Sequence, residues 1–198
     1  MPSITLGGKS VVTQTTPNQP IIADNVQFPA GHILQVKSGT FNQQTTVGTT
    51  AEAVITLTFN TKGTNSTFYA QANACLGRYH DNEGYFGGIC LKEGTAVDFR
   101  SPMQVYLGTS YNVDDGGISN VGNALFGDDH GNHQNAAQIY EVVFPAWSAE
   151  KTTTIAAGVT ITIALWFRGV NTLYINRSNA RTSHEGGITR LVVHEVQS

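Results

Sequence analysis

The stretch Val159–Gly169, "VTITIALWFRG", decides how this chain folds. Ile161, Ile163, Leu165 and Phe167 recur at every second position, which is the period of a β-strand and not of a helix. Thr162, Ala164 and Trp166 fall between them, on the opposite face. A strand that is apolar on both sides needs cover on both sides. The core of its own domain supplies one cover, and a neighbouring subunit is the simplest source of the second. Trp166 is therefore assigned as a subunit contact.

The same period of two extends outward from this strand. "HILQVKSGTF" places Ile33, Gln35 and Lys37 on one face and Leu34, Val36 and Ser38 on the other. "AVITLTFNT" alternates Val54, Thr56 and Thr58 with Ile55, Leu57 and Phe59. "AVDFR", "MQVYLGT", "AQIYEVVFPA", "TLYINRS" and "ITRLVVHEV" read as further strands. "STFYAQANACLGRY" and "GYFGGICLKEG" flank "HDNEG" (residues 80–84) like the arms of a hairpin. In that hairpin Cys75 and Cys90 would stand almost opposite each other, as a cross-strand disulfide or as two buried thiols. No long helical period with capping signals is present, and only "ISNVGNALFG" (residues 118–127) suits a short turn of helix. Roughly nine strands in one run predict an all-β chain, an antiparallel β-sandwich or jelly roll.

Residues 1–30 read differently. They hold Pro2, Pro17, Pro20 and Pro29, four of the six prolines, among Thr, Gln and Asn. Short apolar pieces such as "SVVTQ" and "IIADNVQF" are each long enough to add one strand to a partner. Two parts follow: an extended anchoring arm over residues 1–30 and a single domain over residues 31–198.

Composition narrows the function classes. Charged residues make up 13% of the chain, about half the usual share. The formal net charge is −3, and five Lys and six Arg are scattered without a basic cluster, so no nucleic-acid partner is expected. No apolar run approaches the about 18 residues of a membrane span, so no membrane insertion is expected. The N-terminus lacks the apolar block of a secretion signal, which places synthesis in a cytoplasm without secretion. The sequons at Asn65 and Asn176 carry little meaning in that setting.

Five stretches in order, "GHILQVKSGTF", "YFGGICLKEGTAV", "AAQIYEVVF", "VTITIALWFRGVNTLYINRS" and "GGITRLVVHEV", carry a resemblance. The set resembles the jelly-roll module of small surface and fibre proteins of tailed bacteriophages, of the marine and cyanobacterial type. Those modules open with a "GxILQV"-like strand and carry an "xLxxG" strand end, here Leu91-Lys92-Glu93-Gly94. They close with an apolar strand, here Leu191–Val196. The resemblance spans residues 31–198. It implies a complement-like and tumour-necrosis-factor-like jelly roll, a homotrimer, a place on the virion surface and no catalytic residues. The connection over residues 108–137 is longer than the pattern's usual form and is the part most individual to this chain.

That connection holds the candidate site. "FGDDHGNHQN" (residues 126–135) packs Asp128, Asp129, His130 and His133 into six residues. Asp128, His130 and His133 offer the oxygen and imidazole donors that zinc-like metals accept. Gly131 between the histidines argues instead for a solvated turn. Tyr111, Asn112, Asp114, Phe126, Asp128 and Asn132 form the set suited to a carbohydrate, through aromatic stacking and side chains that bond hydroxyls. The alternative is that Tyr111 and Phe126 pin the loop to the core. Asp114 and Asp115 carry only part of a calcium-loop pattern, and Asp81 and Glu83 suit a hairpin tip. "TSHEGG", around His184 and Glu185, lacks the strand–turn–helix context of a nucleophile elbow. No enzyme activity and no cofactor are expected beyond the metal ion weighed at residues 128–133.

The resulting expectation is a structural bacteriophage virion protein: a compact trimeric fibre or knob, anchored to other virion proteins by residues 1–30. Its long loop would touch a host-surface glycan or protein. A capsid decoration protein that cements the head, and a lectin-like carbohydrate-binding module, are the alternatives. The chain has no coiled-coil heptads and no repeat, so it has no shaft.

Overall fold

The computed structural model describes residues 3–6, 9–16, 19–22, 30–78, 85–107, 110–111, 125–128, 141–143, 146–169, 172–176 and 187–198. Among them every regular element is a strand, and every ladder between strands is antiparallel. The chain is all-β and sandwich-like, as its period of two predicts.

The strands are β1 (Ser3–Leu6), β2 (Lys9–Thr16), β3 (Gln19–Ile22), β4 (Ile33–Phe41), β5 (Thr45–Val47), β6 (Glu52–Asn60), β7 (Thr67–Asn73), β8 (Leu76–Arg78) and β9 (Tyr85–Glu93). There follow β10 (Gln104–Leu107), β11 (Ser110–Tyr111), β12 (Leu125–Asp128), β13 (Glu141–Val143), β14 (Ala146–Thr152), β15 (Thr160–Gly169), β16 (Leu173–Ile175) and β17 (Thr189–Val196). Two five-stranded sheets run β10-β14-β7-β17-β4 and β11-β12-β9-β15-β6. A four-stranded sheet runs β13-β8-β16-β5, and β1-β2-β3 form a sheet of their own.

The pairing is nested. β4 pairs with β17, β6 with β15, β7 with β14 and β9 with β12. Early strands thus meet late ones, and the chain alternates between the two larger sheets as it runs.

One apolar cluster joins the sheets. Ile161, Ile163, Leu165 and Phe167 of β15 are fully buried, together with Phe68 of β7, Ile89 of β9, Leu191 of β17 and Ile175 of β16. Small residues of the other large sheet, Ala70, Ala72 and Ala149, join the same cluster and leave room for the branched and aromatic side chains. At the rim Lys37 of β4 reaches over the Phe59 ring of β6, 5.9 Å from its centroid. A charge on an edge strand also discourages unwanted strand addition.

Four expectations change. Among the described residues the strands on either side of "HDNEG" do not pair with each other: β8 pairs with β13 and β16, and β9 with β12 and β15. Residues 67–78 are not one strand, because the chain passes from one sheet to another at Ala74 and Cys75. Cys75 and Cys90 are accordingly buried in different surroundings, and neither forms a disulfide. Of the stretch read as a helical turn, Leu125, Phe126 and Gly127 belong to β12, where β9 supplies ladder partners, and residues 118–124 lie outside the described residues. "AVDFR" is not a strand but part of a turn-rich strap over residues 94–103.

The N-terminal part also shows local pairing. Ile4 stands opposite Val12 and Val12 opposite Ile22, so β1, β2 and β3 align one apolar row across three strands. These strands pair with one another instead of standing singly.

Candidate functional site

β11 and β12 pair at the end of a large sheet, with Ser110 opposite Phe126 and Tyr111 opposite Leu125. β12 continues the ladder onto β9, placing Phe126 opposite Gly87 and Asp128 opposite Tyr85. β11 ends at Tyr111 and β12 spans Leu125–Asp128. Tyr111, Phe126 and Asp128 are therefore strand residues. Asn112, Asp114 and Asn132, and the histidines His130 and His133, lie outside the described residues, as do Asp81, Glu83, Asp115, His184 and Glu185. Among the described residues no group of three or more His, Cys, Asp or Glu is placed to hold a metal ion.

β9 lies between this edge pair and β15 in the sheet. Gly88 stands opposite Trp166, and a Cβ at Gly88 would lie 2.9 Å from the indole Nε1. Only glycine lets the ring lie flat over β9. Trp166 is 1% exposed, and with Cys90 and Ala164 it forms a second apolar cluster, packed by Ala51, Val97 and Phe99. The Phe99 ring lies 5.4 Å from Trp166, tilted by 50°, a favourable aromatic geometry. This corrects the assignment of Trp166 to a subunit contact: the chain's own strap covers it.

Polar bonds fasten the strap. Leu91 N–H donates to Ser101 O at 2.9 Å, and Met103 N–H to Ile89 O at 2.8 Å. Ser101 Oγ donates to Leu91 O at 2.6 Å and receives the Lys151 ammonium at 2.9 Å. Partial burial lowers the Lys151 pKa. Lys92 donates to Asp98 at 2.9 Å, and this bond, with the Arg100 N–H, holds the Asp98 carboxyl below the usual carboxylate range. Burial pushes the Cys90 thiol up to about 11, so it stays protonated and a poor nucleophile at neutral pH.

Two buried polar centres escaped sequence reasoning. Glu195 is 1% exposed. Its carboxylate accepts from Lys62 N–H at 2.8 and 3.0 Å, Gly63 N–H at 2.8 Å, Ser66 Oγ at 2.8 Å and the Gln35 amide. Four neutral donors thus tie the β6–β7 connection to the last strand. Asn176, wholly buried at φ 60°, donates its amide to Phe41 O and Gln43 O at 2.7 and 3.0 Å. It accepts from Thr189 Oγ1 at 2.9 Å. Its amide is enclosed, which closes this sequon to modification in the folded chain. Neither centre opens to solvent, and both are structural. A buried Glu in the alternating "LVVHEV" was the one available signal, since residue 195 falls on the same face as Leu191 and Val193.

Among the described residues one sheet face carries exposed apolar side chains. Ile33, Val36 and Tyr69 are 48%, 52% and 44% exposed, on the side of β4-β17-β7 away from the core. No protein-family model matches the chain, and no curated protein matches it.

Proposed function

We propose that the chain is a structural protein of a bacteriophage virion: a compact jelly-roll knob of three copies, carried on its particle by residues 1–30. The observation that carries this reading is the nested pairing of β4 with β17, β6 with β15, β7 with β14 and β9 with β12. A doubled ribbon wound into two facing sheets is the defining connection of a jelly roll. It agrees with the ordered strand signatures over residues 31–198 that resemble phage surface modules. The low charge, the all-β build and a separate N-terminal sheet favour a part that assembles over one that turns over a substrate.

In this reading the long connection over residues 108–137 is the outward-facing part. It contains β11 and β12, at the end of their sheet, and its Tyr111, Asn112, Asp114, Phe126, Asp128 and Asn132 would meet a host-surface glycan or protein. Immunogold labelling of intact particles with antibody against residues 31–198 tests the proposal. Gold on the tail supports host contact, and gold spread over the head moves the role to capsid decoration. Particles that carry no label overturn the virion reading.

A further inference from the structure

The two large sheets differ in what lies on their outer sides. On the β9-β15 side the strap over residues 94–103 covers Trp166, Cys90 and Ala164. The outer side of β4-β17-β7-β14 has no such cover among the described residues. Cross-strand register assigns its rows. Val36, His194, Tyr69 and Glu150 form one row, and Ser38, Val192, Gln71 and Ser148 the next. Ile33, Val196, Thr67 and Thr152 form a third, with Thr40, Arg190, Asn73 and Ala146 at the other end. Ile188, just before β17, is also 44% exposed. Among the residues from 30 onward whose burial is described, the exposed large hydrophobic ones therefore lie on this side or beside its end.

We propose that this face is where copies of the chain meet: the outer side of β4-β17-β7-β14 packs against a second copy of this chain. The inference deepens the assembly reading above and rests on it only for the number of copies, three. Size and charge both argue for another copy as the occupant. At about 4.8 Å between strands and about 6.8 Å between alternate residues, four strands by four rows project to about 500 Å². The accessible area of side chains standing on such a surface is larger, which approaches the about 800 Å² per partner of a stable interface. Its apolar residues, Ile33, Val36, Tyr69, Val192 and Val196, stand among Ser, Thr, Asn and Gln, the mixed character of an interface between separately folded copies.

Charge is sparse and self-complementary. Arg190 and Glu150 are the face's residues of fixed charge. They lie two strands and four residues apart, about 17 Å in strand geometry, toward opposite corners. Around a threefold axis the Arg190 end of one copy's face can meet the Glu150 end of the next copy's, a heterologous contact that closes at three.

Light scattering of the purified full chain through a dilution series tests this. The wild type should show three times the chain mass. Val36→Asp combined with Tyr69→Asp should raise the dissociation constant at least a hundredfold and yield monomer, with cooperative thermal unfolding retained. Thr56→Asp, on the strap side of β6, should remain assembled. Arg190→Glu should weaken assembly, and adding Glu150→Arg should restore it; this exchange stands even where the double Asp variant fails to fold. An assembled wild type with unaffected face variants overturns the inference and leaves the assembly reading intact. A wild type monomeric at every concentration overturns both.

Discussion

Glu195 shows what a single residue does in this fold. Its carboxylate has lost water and gained four neutral donors, from Lys62, Gly63, Ser66 and Gln35. Gly63 is part of that arrangement: a Cβ there would meet Leu34 Cδ1 at 2.5 Å and Ser66 Oγ at 2.6 Å. Removing the acceptor strands its donors in a dry site, at about 1–3 kcal/mol for each donor left unpaired. Glu195→Ala should therefore cost about 3 kcal/mol or more in denaturant unfolding. Glu195→Gln should cost less but remain destabilising, because its amide turns a donor toward donors. A loss below about 0.5 kcal/mol in the alanine variant, the level of a surface change, would refute this role. Cys90 makes a pH-dependent prediction. Its folded pKa, about 11, lies above the about 8.5 of an unfolded cysteine. The folded state holds the proton more tightly, so this contribution is complete below about pH 8.5 and lost as pH rises through 11. Between those limits the wild type should lose stability faster than Cys90→Ala, by on the order of 3 kcal/mol at most. Parallel pH–stability curves for the two proteins would contradict it.

At the scale of elements, the strap over residues 94–103 shows why two-sided apolar character does not by itself demand a partner. β15 is covered on one side by the main core and on the other by Phe99 and Val97. Phe99 is half-buried, so Phe99→Ala should cost about 1–2 kcal/mol from lost apolar contact. It should also let water reach Trp166. In a Trp147→Phe background, the emission of Trp166 should shift to the red and become quenchable by acrylamide while unfolding stays cooperative. An unchanged spectrum would mean that something other than Phe99 shields the ring. The same comparison explains the misreading of "AVDFR". Its alternation is real, yet Lys92, Asp98 and Arg100 bond locally, and the segment is held by Ser101 and Met103 at its end instead of by a ladder.

For the whole molecule, the all-β class and the inward face of β15 were legible in the sequence, because side-chain alternation is a local property of a strand. Ile161, Ile163, Leu165 and Phe167 were read onto one face, and all four are buried together. The prolines of residues 1–30 gave no sign of the mutual pairing of β1, β2 and β3. The loop residues proposed for ligand contact were legible only as composition, and only Tyr111, Phe126 and Asp128 fall on described strands. The sequence by itself determined the elements, their apolar faces and the absence of a helical period. Only the tertiary structure decided which strands meet. β8 and β9 are neighbours in sequence yet lie in different sheets, and β4 finds its partner in β17 at the far end of the chain. The physical reason is that strand pairing is a contest among non-local ladders, settled by burial and backbone hydrogen bonds that no local window contains. That contest also chose which apolar faces the chain covers for itself, such as the one around Trp166, and which stand exposed among the described residues, such as the one bearing Val36 and Tyr69.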